Sequence, residues 1–296
     1  MNPEVARHLR CPLCQNPFQA GATTMRCDSG HHFDVARQGY VNLLVGRAPA
    51  GAETAEMVTA RAQLLAEGHF DYLTRALVEE LAEELAEAPV QAPVDPASAA
   101  VPTEPGLVVD VGAGTGHYLA AVLDSRPDQH GLALDVAKAA ARRAARAHPR
   151  AGAVVCDVWR GLPIADHCAD VVLDIFAPRN AAEFKRVLRP DGVLLVVTPR
   201  PDHLAELVRS LGLIGVDADK DRRLDETFGD LFRLDRETAL EERLSLSHDM
   251  AARFVAMGPS AWHTDSEQLS ARLAALPEPV TATSSVSLRV YRPLSS

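Results

Sequence analysis

The sequence predicts an α/β fold built on a parallel sheet, with a small metal-binding unit at the N-terminus. Short apolar runs alternate with helix-compatible segments five times between residues 107 and 198, which is the pattern of a doubly wound sheet. The first of these runs ends in three glycines spaced two residues apart. Three of the five cysteines lie within the first 27 residues.

The glycines belong to the stretch L-V-V-D-V-G-A-G-T-G-H-Y, residues 107–118. Its β-branched run, which carries Asp110, predicts a buried strand. Gly112, Gly114 and Gly116 permit positive φ and let a ligand lie against the backbone. A helix is expected over residues 118–123. A strand, a glycine turn and a helix N-terminus together form a nucleotide-type pocket at the carboxyl end of a sheet.

The spacing of the glycines indicates which ligand this pocket takes. A dinucleotide fold would have a glycine at the position of His117. The D-x-G-x-G-x-G form, with Asp110 in the strand, instead resembles motif I of class I (Rossmann-like) S-adenosylmethionine (AdoMet) methyltransferases. The other interpretation is a glycine-rich turn in a different α/β fold.

Acidic residues at the ends of later strands favour the methyltransferase interpretation over a dehydrogenase. Asp135 ends the run at residues 131–135, where an acid can accept hydrogen bonds from ribose hydroxyls. Asp157 follows the run at 153–156. In methyltransferases an acid at this position typically contacts the adenine amino group. Asp174 lies in the run at 171–176, and the fifth run, 192–198, follows a helix at 181–188 and a turn at 189–192. The predicted cofactor-binding residues are Asp110, Gly112, Gly114, Gly116, His117, Asp135 and Asp157.

The N-terminal unit has the ligand set of a zinc site. Cys11-x-x-Cys14 is followed by Cys27 and then by a histidine pair, His31 and His32, and such spacing suits tetrahedral zinc. About 40 residues cannot build a stable core alone, so a metal would have a structural purpose. The alternative is a reduced C-x-x-C with two unrelated histidines. The residues alone leave the choice between His31 and His32 open.

The composition indicates a cellular compartment, but it leaves open whether the protein binds RNA. The net charge of −10 is unusual for a nucleic-acid binder, yet residues 51–88 hold nine acids and two arginines while residues 1–47 hold five arginines and three acids. A basic face is therefore compatible with the overall charge. Five cysteines without a secretory segment argue against a disulfide framework. The apolar runs are too short to span a bilayer. We expect a cytoplasmic protein with no membrane partner.

The segments between the two motifs give a three-part domain prediction: a zinc-binding RNA-recognition domain at 1–46, a helical linker region at 47–106 and a methyltransferase domain at 107–296. Residues 33–44 are expected to form a strand that closes the zinc unit. Helices are expected over 56–66 and 69–88, followed by a Pro/Ala-rich loop at 89–106. The second helix should bury its leucines (Leu73, Leu77, Leu81, Leu85) and expose its glutamates (Glu79, Glu80, Glu83, Glu84, Glu87).

Further elements are expected within and beyond the sheet. A helix at 137–147 carries three arginines, and a solvated face is favoured there over an RNA contact. A helix is expected at 204–211, a charged surface segment at 217–226 and an edge strand at 286–291. Trp262 is open to two interpretations, a core residue or a platform for base stacking.

Several motifs together resemble one family. They are the zinc spacing, G-Y-V-N-L-L at 39–44, G-H-F at 68–70, D-V-G-A-G-T-G-H-Y, F-A-P-R-N at 176–180 and G-P-S-A-W-H at 258–263. They resemble the bacterial 23S rRNA (guanine-N(1))-methyltransferases of the zinc-containing RlmA type, which modify a hairpin lining the peptide exit tunnel. The resemblance covers the chain apart from the insert at 89–106. It looks closer to the Gram-positive branch, which includes tylosin- and mycinamicin-resistance enzymes.

The resemblance carries further implications. The family's C-x-x-x-H-x-F element maps onto Cys27, His31 and Phe33, which makes His31 the fourth zinc ligand. His117 departs from the pattern, since other members often have Tyr there. The family also implies methyl transfer from AdoMet to N(1) of a guanine in 23S rRNA, a homodimer, and a contribution to macrolide resistance.

Guanine N(1) carries a proton, so a general base is useful for this reaction. The catalytic candidates are Asp157, Asp174 and His117, and the sequence does not choose among them. Two other functional classes remain open. One is a small-molecule AdoMet methyltransferase with a structural zinc appendage, and the other is a non-catalytic zinc RNA-binding protein with a decayed cofactor fold.

Overall fold

The computed structural model describes residues 1–21, 23–49, 51–86, 105–213, 215, 220–258 and 266–295. These residues form a three-stranded antiparallel sheet near the N-terminus and an eight-stranded mixed sheet flanked by helices. The small sheet follows helix α1 (Pro3–Ala6) and consists of β1 (Phe18–Ala20), β2 (Thr24–Cys27) and β3 (His32–Asp34).

The large sheet has the order β10-β11-β9-β8-β5-β6-β7-β4. Strands β4 to β9 pair in parallel, and β11 pairs antiparallel with both β9 and β10. The chain moves outward from β5 in both directions, so the strand order reverses between β5 and β8. Ligands bind at such a switch point, beyond the carboxyl ends of the strands. The strands are β4 (Tyr40–Asn42), β5 (Gly106–Val111), β6 (Gln129–Asp135), β7 (Ala151–Val155), β8 (Ala169–Ile175), β9 (Leu188–Pro199), β10 (Phe232–Leu246) and β11 (Val280–Pro293).

Helices cover both faces of this sheet. They are α2 (Ala55–Ala66), α3 (Asp71–Ala86), α4 (His117–Ser125), α5 (Lys138–Ala144), α6 (Ala181–Val187), α7 (Ala205–Leu211), α8 (Lys220–Phe228), α9 (His248–Ala256) and α10 (Ser266–Ala274), with a 3₁₀ turn at Val158–Arg160. The five predicted strands, their alternation with helices and the class I methyltransferase fold are confirmed. No helix in the described part of the chain has the length and apolarity needed to cross a membrane.

Strand β5 shows why its sequence forms the centre of the sheet. Successive residues of a strand point to opposite faces. Val108 accordingly packs in one hydrophobic cluster, and Val109 packs in the cluster on the other face. The second cluster also contains Leu9 and Met25 of the N-terminal unit. The zinc unit is therefore packed onto one face of the sheet and shares its core.

The expectation of a single strand over residues 33–44 is wrong. The segment turns at Gly39, where φ is +97°, and its second half becomes β4. β4 pairs in parallel with β7, with Val41 opposite Val154. Val41 is buried and packs in the same hydrophobic cluster as Val154, so this strand adds to the core of the large sheet. This segment therefore joins the N-terminal unit to the large sheet.

The C-terminal third of the large sheet also differs from expectation. The strand expected at 286–291 is longer and lies inside the sheet, between β9 and β10. The edge strand at this end of the sheet is β10, which no apolar run indicates because most of its residues are polar and exposed. The turn expected at 189–192 is part of β9. The charged segment at 217–226 overlaps α8, which buries Leu224 and Phe228.

Helix α3 buries its leucines as predicted at Leu73, Leu77 and Leu81, but its glutamates are not all solvated. Glu80 and Glu84 are buried, because Arg236 and Arg292 of the neighbouring strands pair with them. A buried carboxylate is tolerated where a cation compensates it. Residues 87–104, which include Glu87, the expected helix end and most of the expected loop, and residues 259–263 with Trp262 lie outside the described residues, as does the side chain of Leu85.

Candidate functional site

Two tight turns position the four predicted zinc ligands. The first turn begins at Cys11. The amide of Cys11 donates to the carbonyl of Asn16 at 2.9 Å, and the carbonyl of Cys11 accepts from the amide of Gln15 at 2.8 Å. In the second turn the amide of Gly30 donates to the carbonyl of Cys27 at 2.9 Å, with φ of +83° at Gly30. Each turn directs its ligands toward the other, so residues far apart in sequence meet at one point.

The ligand atoms of Cys11, Cys14, Cys27 and His31 all lie within 4.8 Å of one another. His31 Nδ1 is 3.5 Å from the sulfurs of both Cys11 and Cys27, and the sulfurs of Cys14 and Cys27 are 3.6 Å apart. Zinc bonds of about 2.3 Å to sulfur and 2.0 Å to nitrogen place tetrahedral ligands about 3.5 to 3.8 Å apart. The group therefore fits zinc.

The choice between the two histidines is also visible in the structure. His32 is exposed on β3 and does not belong to the ligand group. A hydrogen bond from the backbone of Asn16 lowers the pKa of the Cys14 thiol to about 6, whereas burial raises the pKa of the Cys11 thiol to about 11. A thiolate is the form that binds zinc.

The glycine turn after β5 has the geometry expected of a cofactor cradle. φ is +69° at Gly112, +54° at Gly114 and +77° at Gly116, the left-handed region that favours glycine. A Cβ on Gly112 would lie 2.5 Å from the Cβ of Ala177, and one on Gly116 would lie 3.0 Å from the Cα of Ala144. Glycine is therefore required there for the turn to pack.

Two acids support this turn in different ways. The carboxylate of Asp135 accepts hydrogen bonds from the amides of Gly114 at 2.9 Å and Ala137 at 2.8 Å. Asp110 is buried beneath the turn, and its Oδ2 has no hydrogen-bond partner among the described residues. Burial raises the pKa of Asp110 to about 8 and that of Asp135 to about 6. A buried carboxyl oxygen without a partner fits a cationic ligand.

A cavity of about 1160 Å³ opens above the carboxyl ends of the strands. Asp110, Gly112, Gly114, Asp135 and Asp157 all line it, whereas Gly116 and His117 do not. A drug-sized ligand typically occupies 300 to 1,000 Å³. The cavity is therefore large enough to hold AdoMet together with part of a second molecule.

Of the three candidate bases, only Asp157 reaches the cavity. Its Oδ1 accepts from the amide of Trp159 at 3.0 Å and its Oδ2 lies 3.4 Å from Arg160 Nε. Asp174 is buried below the wall and pairs with Arg179 at 3.2 Å. His117 hydrogen-bonds Thr74 Oγ1 at 3.2 Å, and burial lowers its pKa.

Several cavity residues were missed by sequence reasoning. Arg61 is the one basic residue of α2, and its Nη1 would lie 3.1 Å from a Cβ on Gly114. It is held by Glu53 at 3.0 Å and by the carbonyl of Met257. Phe176 lines the opposite side with φ of +55°. No local signal marks Arg61, because its contacts come from distant segments, whereas Phe176 sits in a motif whose geometry a sequence does not reveal.

Comparison with known proteins adds independent evidence. Residues 9–46 match the model of the RlmA N-terminal zinc ribbon, and residues 108–192 match a methyltransferase-domain model. The chain is 48% identical to the 23S rRNA (guanine(748)-N(1))-methyltransferase of Streptomyces fradiae, over 99% of this chain and 100% of that protein. It is 53% identical, with the same coverage, to a protein of Micromonospora griseorubida named as a candidate 23S rRNA (guanine-N(1)-)-methyltransferase. A similarly named protein of Bacillus subtilis is 35% identical over 67% of this chain and 66% of its own length.

Proposed function

Because this chain belongs to the family of 23S rRNA (guanine-N(1))-methyltransferases with an RlmA zinc ribbon, we propose that it methylates N(1) of a guanine in 23S rRNA. The observation that carries this proposal is the identity of 53% and 48% over 99% of the chain, which includes both the zinc unit and the glycine turn. The cofactors are AdoMet and zinc.

Under this proposal one set of the described residues binds zinc and another set binds AdoMet. The four ligands Cys11, Cys14, Cys27 and His31 hold the zinc. Bound AdoMet supplies a methyl group on a positively charged sulfur. Its polar groups are held by cavity residues at the ends of three strands, which are Asp110, Gly112, Gly114, Asp135 and Asp157, and Gly116 shapes the turn without lining the cavity. This assignment is supported by the positive φ of the glycines and by the unpartnered oxygen of Asp110.

The protein chiefly positions the two reactants and excludes water. Guanine N(1) must lose a proton during the transfer, and a group in hydrogen-bond reach is needed to accept it. Of the three candidates only Asp157 lines the cavity. One carboxylate cannot hold the adenine amino group and accept this proton at the same time, so we assign Asp157 to AdoMet and name no base. The target base is part of a structured RNA, so it must leave its stack to enter the cavity.

We further propose that the modified nucleotide is the guanine equivalent to position 748, the position in the name of the Streptomyces fradiae relative. This would be the hairpin that lines the peptide exit tunnel. The proposal includes a homodimer, as the sequence resemblance implies, in the cytoplasm where rRNA is found. Light scattering at micromolar concentration tests the dimer, and a monomer mass would remove it.

The direct test of the reaction uses purified protein, labelled AdoMet and 23S rRNA from a host that lacks the modification. We expect label in 23S rRNA and none in 16S rRNA. The Gly114→Arg variant should transfer none, since its side chain would stand in the cofactor turn against Arg61. Transfer to small acceptors without RNA dependence would favour a small-molecule methyltransferase. AdoMet binding without any transfer would favour a non-catalytic RNA-binding protein.

A biological consequence follows from the chemistry. Methylation removes a hydrogen-bond donor from guanine and adds a methyl group to the tunnel wall. We propose that this contributes to resistance against 16-membered macrolides such as tylosin or mycinamicin, alone or with a second rRNA methylation. Inhibitory concentrations should be higher in a susceptible host that expresses the wild-type chain than in one that expresses Gly114→Arg. Equal values with and without a companion methyltransferase would remove the resistance role.

A further inference from the structure

The walls of the cavity differ in chemistry on the two sides of the switch point. The ends of β5, β6 and β7 present Asp110, Asp135 and Asp157. The ends of β8 and β9 instead present Phe176 and His203, followed by apolar residues of α7. If AdoMet occupies the acidic half, as the proposed function requires, the aromatic half faces the acceptor.

Phe176 is the aromatic residue that stands out in this acceptor half. It is 41% exposed although it lines a cavity, and its φ of +55° is rare for a bulky residue. Strained backbone of this kind clusters at functional sites. Its amide donates to the carbonyl of Val197 at 3.1 Å, so the unusual conformation is fixed by the sheet.

The ring of Phe176 packs against other rings of the same cavity wall. The centroid of Phe70 lies 6.3 Å away with an interplanar angle of 67°, and that of His203 lies 6.3 Å away at 41°. Phe70 is buried and packs in turn against Phe254 at 5.8 Å. Contact with a buried aromatic ring limits the rotation of the Phe176 ring, of which 41% stays exposed.

Phe176 also lies next to the glycine turn that would hold AdoMet under the proposed function. The next residue, Ala177, packs against the turn: a Cβ added to Gly112 would lie only 2.5 Å from the Cβ of Ala177. In addition, Asn180 Nδ2 donates to the carbonyl of Val158 at 2.9 Å, which fixes the segment after β8 against the turn after β7. Phe176 thus borders the glycine turn, and reacting atoms must approach within about 3 to 3.5 Å.

We propose that Phe176 is the base-stacking residue that receives the target guanine after it leaves the RNA stack. This inference rests on the proposed function. An extruded base loses its stacking partners, and an aromatic ring in the pocket restores them. The other exposed aromatic residue on the described part of the cavity wall is Trp159, which is 65% exposed. It follows Asp157 on the acidic half, so it serves as the matched control.

Kinetics with a 23S rRNA fragment test the proposal. Phe176→Leu keeps an apolar side chain but removes the ring, and we expect kcat/KM for RNA to fall about 5- to 150-fold. Phe176→Tyr keeps the ring and should stay within about threefold of wild type. The dissociation constant for AdoMet, measured by calorimetry, should change less than twofold in both variants, which also shows that they fold.

The possible failures are distinguishable. A wild-type chain that methylates no guanine in 23S rRNA would overturn the proposed function and this inference with it. A wild-type chain that is active together with an equally active Phe176→Leu variant would overturn the inference alone. A fall in AdoMet affinity in Phe176→Leu would assign the ring to the cofactor instead. A loss in Trp159→Leu with no loss in Phe176→Leu would assign stacking to Trp159.

A fluorescence measurement detects the stack directly. The sequence has two tryptophans, Trp159 and Trp262, and both are replaced by Phe in a chain that also carries Phe176→Trp. At saturating concentration, RNA with guanine at the target position should quench the remaining tryptophan, and RNA with an abasic target should not. Equal quenching by both RNAs would contradict stacking at residue 176.

Discussion

The zinc unit and the glycine turn of β5 are both short motifs, but they are held in place by different forces. The zinc unit has three strands of three or four residues each, and its four ligand atoms converge from two turns. The glycine turn follows a strand whose side chains are buried on both faces of an eight-stranded sheet. The first region depends on a metal, while the second depends on apolar burial.

The comparison also shows that the two regions are not independent. The amide of Arg10 donates to the carbonyl of Pro163, and the amide of Ala165 donates to the carbonyl of His8, both at 2.8 Å. Leu9 forms an isolated bridge with Ile164. This segment follows the turn that carries Asp157 and Trp159. The zinc unit therefore supports one wall of the cavity although none of its ligands lines it.

The largest expected effect is the loss of the metal. Cys27→Ala removes one of four ligands, and structural zinc contributes about 10 to 16 kcal/mol to the folding of isolated zinc peptides. We expect less than one zinc per chain by elemental analysis and a loss of hydrogen-exchange protection over residues 9–34, with the protection of β5 to β8 retained.

Two controls belong to this experiment. Cys168→Ala removes a buried thiol that donates to the carbonyl of Ala165 and is not in the ligand group, so zinc should be retained. His31→Ala should lower zinc retention, whereas His32→Ala should not. Full zinc content in Cys27→Ala, or the opposite result for the two histidines, would contradict the ligand assignment.

A substitution in the core of the large sheet should lower the stability of the protein and leave its zinc content unchanged. Leu132 of β6 is fully buried, and Leu132→Ala should lower the free energy of unfolding by about 2 to 5 kcal/mol. Zinc content should not change. Leu234→Ala on exposed β10 is the control, with an expected effect within about 0.5 kcal/mol. Chemical denaturation gives both values, and equal effects of the two variants would argue against the described core.

A smaller effect is expected at the cofactor end of β6. Asp135→Ala removes a charged acceptor that also fixes the amides of Gly114 and Ala137. Hydrogen bonds to charged groups contribute about 1.5 to 3 kcal/mol, so AdoMet affinity should fall about 10- to 150-fold by calorimetry. Asp128→Ala, at an exposed acid, should leave affinity unchanged. Unaltered binding in Asp135→Ala would count against the pocket assignment.

The smallest effect concerns pH. Burial raises the pKa of Asp110 from an ordinary 3.8 to about 8. Folding therefore favours its protonated form, and this contribution is fully present below about pH 4 and is lost as pH rises through 8. Without AdoMet, the melting temperature of the wild type should fall by a few degrees more than that of Asp110→Asn between pH 6 and 9. Parallel curves would contradict a buried, protonated Asp110.

The same contrast explains what the sequence could predict. Both motifs depend on residues close together in the chain, with fixed spacing, so their ligands and glycines were found without a structure. The parallel strands were found because burial on both faces leaves continuous apolar runs. His31 was distinguished from His32 by family resemblance, and the structure places His31 in the ligand group.

What the sequence could not predict depends on partners far away in the chain. Strand β10 has an exposed polar pattern and is held by its pairing with β11. Glu84 looked solvated because its compensating cations, Arg236 and Arg292, lie about 150 or more residues later. The exposed ring of Phe176 is likewise defined by a backbone angle and by distant rings. Each of these features is a property of contacts between segments.

The measurement that tests the central claim most directly is primer extension on 23S rRNA from a host that lacks the modification and expresses this chain. Methylation at N(1) blocks the pairing edge of guanine, so reverse transcriptase should stop at a single guanine, equivalent to position 748, with the wild-type chain. The stop should be absent with Gly114→Arg. A wild-type chain that is folded, zinc-loaded and able to bind AdoMet, yet gives no stop in 23S rRNA, would contradict the account.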